Sequence, residues 1–210
     1  MIEAHWSLFL VASLAVIATP GQDMLLVMSR SLTHGTRAGL ATAAGVSLGL
    51  VGHTVLATLG LGALLRASDW LFTGIKLAGA AYLLYLGVHL LRTRDAALAI
   101  GSATPGSLLR LFATGAASNL GNPKIAVFYF AFLPQFVPRP AEHPTLSIFA
   151  LGLAFAALTF VIKGPVAVFA GRLSGWFRSR PEALLWLYRV SGFVMIGLAV
   201  RLALSRRAEA

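Results

Sequence analysis

Most acidic residues of this 210-residue chain stand in links or tails; Asp23 is the exception, following Pro20-Gly21-Gln22 inside a long apolar run. In a bilayer such a group costs at least about 2.5–3.5 kcal/mol on insertion scales, so it usually faces a cavity or a partner. Pro20 has no N–H and Gly21 loosens the chain, which leaves carbonyls near Ala15 and Val16 without helical donors. A carboxylate beside free carbonyls suits an ammonium group. The plainer alternative is that Asp23 lies near the inner surface and caps the second half of a kinked helix.

A later apolar run offers complementary chemistry. Asn119, Asn122 and Lys124 surround Pro123, and a half-helix starting there presents amide donors that favour an anion, to which Lys124 adds a full charge. An amino-acid carboxylate fits. The alternative is that Lys124 snorkels to the inner surface. Lys163, beside Gly164-Pro165, is deep enough in its run for a role in coupling or gating. Lys76, a further candidate for proton coupling or gating, and Arg189 stand at segment starts, where snorkelling is the simpler reading. His53, between Gly52 and Thr54, has a side chain that titrates near physiological pH and is a candidate proton relay, with a hydrogen-bonded structural histidine as the alternative. The run Phe128-Tyr129-Phe130 reads first as packing and second as the wall of a passage.

The elements that must hold these groups are membrane helices. Hydrophobic residues make up 58% of the chain and charged ones 11%, against roughly 45–50% and 25% in soluble domains. A helical span takes about 20 apolar residues. Six apolar segments emerge, at about 6–30, 38–65, 70–92, 109–135, 145–171 and 184–204, leaving no room for a second domain. The fold expected is therefore an all-α polytopic membrane protein, a single unit over 1–210. The formal charge of +10 does not imply a nucleic-acid partner, because the basic residues lie mostly between apolar runs, where they anchor topology and meet anionic lipid. The chain has no cysteine, which removes thiol redox chemistry and thiolate metal sites. No Lys or Arg precedes Arg30, so the first apolar run reads as a retained helix rather than a signal peptide.

With the N-terminus outside, the inner links carry Arg30, Arg37, Arg92, Arg94, Arg110, Arg172, Arg178 and Arg180. The outer links carry only Arg66 and Arg139, although Arg206 and Arg207 in the tail oppose the assignment. The positive-inside rule thus predicts both termini on the outer side. A faint internal repeat pairs Thr19-Pro20-Gly21 with Asn122-Pro123-Lys124, and Lys76-x-x-Gly79 with Arg189-x-x-Gly192. Halves of three spans each, about 1–95 and 108–210, have opposite orientations, with helices 1 and 4 broken at proline. This is the inverted-repeat plan of many secondary transporters. Gly45-x-x-x-Gly49 and the small residues around it read as helix packing, and such surfaces permit a homodimer without requiring one.

Three blocks, spread over nearly the whole chain, carry a family resemblance. The first is Pro20-Gly21-Gln22-Asp23 with Gly35, Arg37, Gly39, Gly45, Gly49 and His53. The second is Lys76-Leu-Ala-Gly79-Ala-Ala-Tyr82-Leu-Leu-Tyr85-Leu-Gly87. The third is Gly115-Ala-Ala-Ser-Asn119-Leu-Gly-Asn122-Pro123-Lys124, continuing to Phe128 and Pro134-Gln135-Phe136. In this order and spacing the chain resembles the lysine exporter (LysE/RhtB) family of bacterial amino-acid exporters. The resemblance implies six helices in the inner membrane, export of amino acids or derivatives driven by the proton gradient, and a site built from the Pro-Gly and Asn-Pro-Lys blocks. Two departures stand out. The family often has Pro and Asn where this chain has Gln22 and Asp23, which argues against an acid there as a universal proton carrier. Relatives often carry an acid in segment 5, where this chain has Lys163.

One acid against several bases disfavours a dibasic cargo, so a neutral amino acid, homoserine or a homoserine-lactone type of compound is expected before lysine. No catalytic or ATP-binding motif is present. The expectation is a proton antiporter without cofactor or metal, not an enzyme. Its rivals are an exporter of another small solute or inorganic cation, which predicts clustered acids or histidines in the spans, and a non-transporting scaffold.

Overall fold

A computed structural model describes residues 4–19, 21–67, 69–94, 106–138 and 141–204. About 90% of these are helical, and none is in a strand. Pro20, Arg139, the connection 95–105 and the tail from 205 lie outside the described residues.

The first apolar run forms two helices, α1 (Trp6–Ala18) and α2 (Gln22–His34), bent by 53°. Gly35, at φ 86°, makes a turn that glycine adopts without steric cost, and α3 (Thr36–Ala67) follows. Next come α4 (Asp69–Arg92) and α5 (Leu108–Leu120). After Gly121 and Asn122 the chain passes through α6 (Pro123–Val127), a π-helical turn (Phe128–Phe132) and a 3₁₀ turn (Leu133–Phe136). Pro134 has no N–H to give to Phe130, and the preceding Leu133 N–H reaches back five residues to Phe128, so the helix widens just before the proline. The chain ends in α7 (Pro144–Val168), α8 (Ala170–Ser179) and α9 (Pro181–Leu204).

Among the described residues, four helices are long and apolar enough to cross a membrane, and the bent pair α1–α2 makes a fifth candidate. The fourth apolar segment, 109–135, is interrupted at Asn122-Pro123 as its sequence suggests, and is divided a second time, unexpectedly, by the π and 3₁₀ turns around Pro134. Arg178 and Ser179, expected in a polar link, instead lie on α8.

The polarity pattern is that of a protein in lipid. Leu59, Trp186 and Phe193 are each more than 60% exposed, whereas Asp23, His53, Thr54, Asn119, Asn122, Thr159 and Lys163 are buried. In water the first set would seek burial and the second exposure; a bilayer reverses both demands.

Glycines set the helix register. A Cβ on Gly45 would stand 1.9 Å from the Phe112 carbonyl oxygen, and one on Gly115 would stand 2.3 Å from that of Thr42. Gly49 approaches Ala116 and Asn119 in the same way. From Gly45 against Phe112 through Gly49 against Ala116 to Gly52 against Leu120 the numbers rise together, so α3 and α5 are parallel, backbone against backbone. Gly152 against Thr54 and Gly39 against Ala167 make α3 and α7 antiparallel, while Gly87 against Gly192 and Gly79 against Leu202 do the same for α4 and α9. The Asp23–Lys163 contact and the Ser31 hydroxyl bond to the Ala167 carbonyl run α2 parallel to α7. At the far end, the His5 N–H donates to Phe136 O at 2.7 Å, so the start of α1 meets the end of the 3₁₀ turn.

Candidate functional site

The two helix breaks face one another. In α1 the last helical turn closes on Ala15, whose carbonyl accepts both the Thr19 N–H (3.2 Å) and the Thr19 hydroxyl (2.7 Å). The Val16 carbonyl stands four residues before Pro20 and can receive no helical amide from it. Its donor is Lys124 Nζ, at 2.9 Å, reaching across from the other break. The carbonyl that sequence reasoning left free for a ligand is thus held by a lysine of the chain itself. The N-terminus of α6 is also occupied, because Asn122 Oδ1 accepts the Lys124 N–H at 3.1 Å. That capping removes one of the amides expected to meet an anion.

Asp23 lies in the first turn of α2, where the helix dipole favours a carboxylate. It is buried. Its Oδ2 accepts from Asn119 Nδ2 at 2.8 Å and pairs with Lys163 Nζ at 3.5 Å. Among the described residues, Asp23 Oδ1, Asn119 Oδ1 and His53 Nδ1 are buried side-chain atoms with no hydrogen-bond partner.

A cavity lies among these groups, lined by Val16, Thr19, Gly21, Asp23, Asn119 and Lys163, with Gln22, Asn122, Lys124, Phe155 and Thr159 completing the wall. Its free volume is about 20 Å³, room for roughly one water. A larger ligand enters only if the walls part. The cavity holds two ammonium groups against one carboxylate, so with all three ionised its lining carries a net charge of +1.

Of the residues singled out in the sequence, Gly21, Gln22, Asp23, Asn119, Asn122, Lys124 and Lys163 therefore surround one space. Pro20 lies outside the described residues, and Pro123 opens α6 as its first residue. His53 stands just behind the wall, with Nε2 3.2 Å from the Asn119 carbonyl oxygen and its ring stacked on Tyr129 at 5.5 Å. Lys76, half-buried on α4, is not in the cavity lining. Phe128 and Tyr129 are buried in the apolar core. Tyr129 donates its hydroxyl to Gly152 O at 3.0 Å and receives the Thr54 hydroxyl at 3.2 Å. Sequence reasoning missed Thr19 and Thr159. The signal was available for Thr159, which precedes Lys163 by one helical turn and shares its face.

A family profile described as LysE type translocator matches residues 14–206. The chain belongs to this family. Among relatives of this translocator, a homoserine/homoserine lactone efflux protein of Salmonella typhimurium is 32% identical over 203 residues, spanning 97% of this chain and 98% of the relative. A leucine efflux protein of Klebsiella pneumoniae is 28% identical over 93% of this chain and 92% of its own length. A membrane protein of Vibrio cholerae is 30% identical over 96% and 97%. No solved structure matches the translocator.

Proposed function

We propose that this translocator is a secondary exporter of small neutral amino acids, of the homoserine or leucine kind, working by exchange against protons. The observation that carries the reading is the convergence of Asp23, Asn119, Lys124 and Lys163 on one buried cavity between two helix breaks. A zwitterion brings what these groups lack: an ammonium for the unpartnered Asp23 Oδ1, and a carboxylate for a lysine. In this mechanism Lys124 takes the carboxylate and Asp23 takes the ammonium. Protonation of Asp23 from outside weakens the ammonium contact and favours the return step. The efflux names of the Salmonella and Klebsiella relatives support the cargo class. Among the described residues no cluster of three potential metal ligands exists, which gives an inorganic cation no comparable seat.

The same reading gives the molecule six passes in two inverted halves, about 1–95 and 108–210, forming a single unit in the bacterial inner membrane with both termini outside. The helix directions support it. Along a six-pass path, passes 2 and 4 run together, and pass 5 runs against pass 2 and with pass 1. These are the directions of α3, α5, α7 and α2. The broken run from α5 to Phe136 is then the fourth pass, ending beside the start of α1. Exposed apolar side chains around the bundle face lipid.

Counterflow of labelled homoserine and leucine in proteoliposomes tests this function. The expected result is uptake above that of empty vesicles, accelerated by an imposed pH gradient in the wild type and insensitive to the gradient in Asp23→Asn. No counterflow with any amino acid would sink the proposal, and unchanged gradient-driven export by Asp23→Asn would remove Asp23 from the coupling.

A further inference from the structure

We propose that Lys163 is a specificity-determining residue which makes a free carboxylate obligatory on the cargo, so that the translocator carries amino acids and rejects their lactones, esters, amides and dibasic counterparts. This rests on the amino-acid export just proposed and narrows it.

Three observations carry the inference. First, Lys163 is 5% exposed and its ammonium lies 3.5 Å from Asp23 Oδ2, on the one carboxylate of the cavity. It therefore sits where an incoming ammonium must bind, and a ligand's ammonium has to share or take that acceptor. Second, with Asp23 and both lysines ionised the cavity holds one more cation than anion, since Lys124 stands on a neutral carbonyl. An ammonium ligand without a carboxylate adds a third cation to a space with room for about one water, where like charges are poorly screened. A zwitterion leaves the balance as it was. Third, Asp23 Oδ1 and Asn119 Oδ1 are buried acceptors with no donor. A ligand's N–H groups can fill these positions while Lys163 swings from Asp23 to the ligand's carboxylate. The exchange is closed only when both ligand charges sit on neighbouring carbons of one molecule. The cargo's ammonium then rests on Asp23, and Lys163 joins Lys124 on its carboxylate.

Lys163 is thus a stand-in for the cargo's own ammonium, and the lysine freed from Asp23 reads the carboxylate. Lys124 cannot make this distinction alone, because its acceptor is an uncharged carbonyl that any ammonium could replace it on.

The test is a competition panel on the full-length protein in proteoliposomes, with homoserine against homoserine lactone, leucine against leucine amide, and lysine as the dibasic probe. The readout is the ratio of derivative to free acid in counterflow. The wild type is expected to favour each free acid by at least about tenfold. Lys163→Gln should raise the derivative-to-acid ratio toward one, and Lys163→Arg, which keeps the charge, should hold the wild-type preference. Equal handling of acid and lactone by the wild type overturns the inference while leaving amino-acid export standing. So does a Lys163→Gln protein that keeps the tenfold preference. If the glutamine variant does not reach the membrane, Lys163→Met, which also removes the charge, is read in the same way and decides. Absence of counterflow with every amino acid refutes the export function itself, a distinguishable outcome.

Discussion

Removing the Asp23 carboxylate should destabilise the protein through its partner rather than through its own lost contacts. The Asp23 and Lys163 side chains are 5% and 6% exposed or less, with 3.5 Å between the charged atoms. At an effective dielectric constant near 20, two unit charges at that distance attract by about 5 kcal/mol. Asn in place of Asp keeps an oxygen for Asn119 but leaves the Lys163 ammonium buried and unpaired, a condition that typically costs about 3–5 kcal/mol. In a chain of this length each kcal/mol moves the midpoint by about 2–4 °C, so the melting temperature of Asp23→Asn in detergent should fall by about 6–20 °C. The double variant Asp23→Asn/Lys163→Met removes the stranded charge and should recover most of this loss, as replacement of a buried pair by apolar groups is often neutral or stabilising. It should not recover gradient-driven counterflow. The assay is tryptophan fluorescence on heating, run on wild type, both single variants and the double. An Asp23→Asn protein as stable as wild type, or a double variant no more stable than Asp23→Asn, would refute the argument that this ion pair is a buried, mutually dependent unit.

Two further outcomes follow from the packing. Gly45→Ala places a methyl against the Phe112 carbonyl, a backbone atom that cannot rotate away, so α3 and α5 must separate. Monodisperse protein on size exclusion should be largely lost, whereas Gly175→Ala, which meets nothing within 4 Å on α8, should be neutral or gain about 0.5–1 kcal/mol. Tyr129→Phe removes the bond to Gly152 but keeps the ring against His53 and Phe155; unfolding should show a cost of about 1 kcal/mol, against about 3–5 kcal/mol for Tyr129→Ala.

Much of this arrangement was legible in the sequence because lipid simplifies the reading. Apolar length marks the spans, and an acid or base inside one demands a partner. That logic put Asp23, Asn119, Lys124 and Lys163 among the candidates, and the structure brings them within one wall. What the sequence could not convey was the pairing. The residue types indicate what Asp23 and Lys124 can offer a ligand, but not that within the chain Lys163 pairs with Asp23 and Lys124 with the Val16 carbonyl. Such choices depend on how α7 and α6 lie against α2 and α1, over separations of 140 and 108 residues. The fourth segment was harder to read for another reason. Its break at Asn122-Pro123-Lys124 shows in the sequence, but the widening of the helix before Pro134 and the 3₁₀ turn that contains it are a change of helix type that composition does not register. For α8, Arg172 and Arg178 masked a helix that follows Phe169 and carries Trp176, both exposed apolar side chains.

The bond from Lys124 to the Val16 carbonyl makes the two interruptions dependent on each other. Proline at position 20 creates a vacancy, and a lysine 104 positions later in the sequence ties into it, like a knot between two ropes. A substitution at either end therefore has a different meaning in the presence of the other. An amide-bearing residue at 20 would remove the bar to continuing α1 toward Val16 and so compete with Lys124, and loss of Lys124 would leave the carbonyl bare. Cargo that draws this lysine toward its own carboxylate would untie the strands as it is recognised, making capture and loosening the same event.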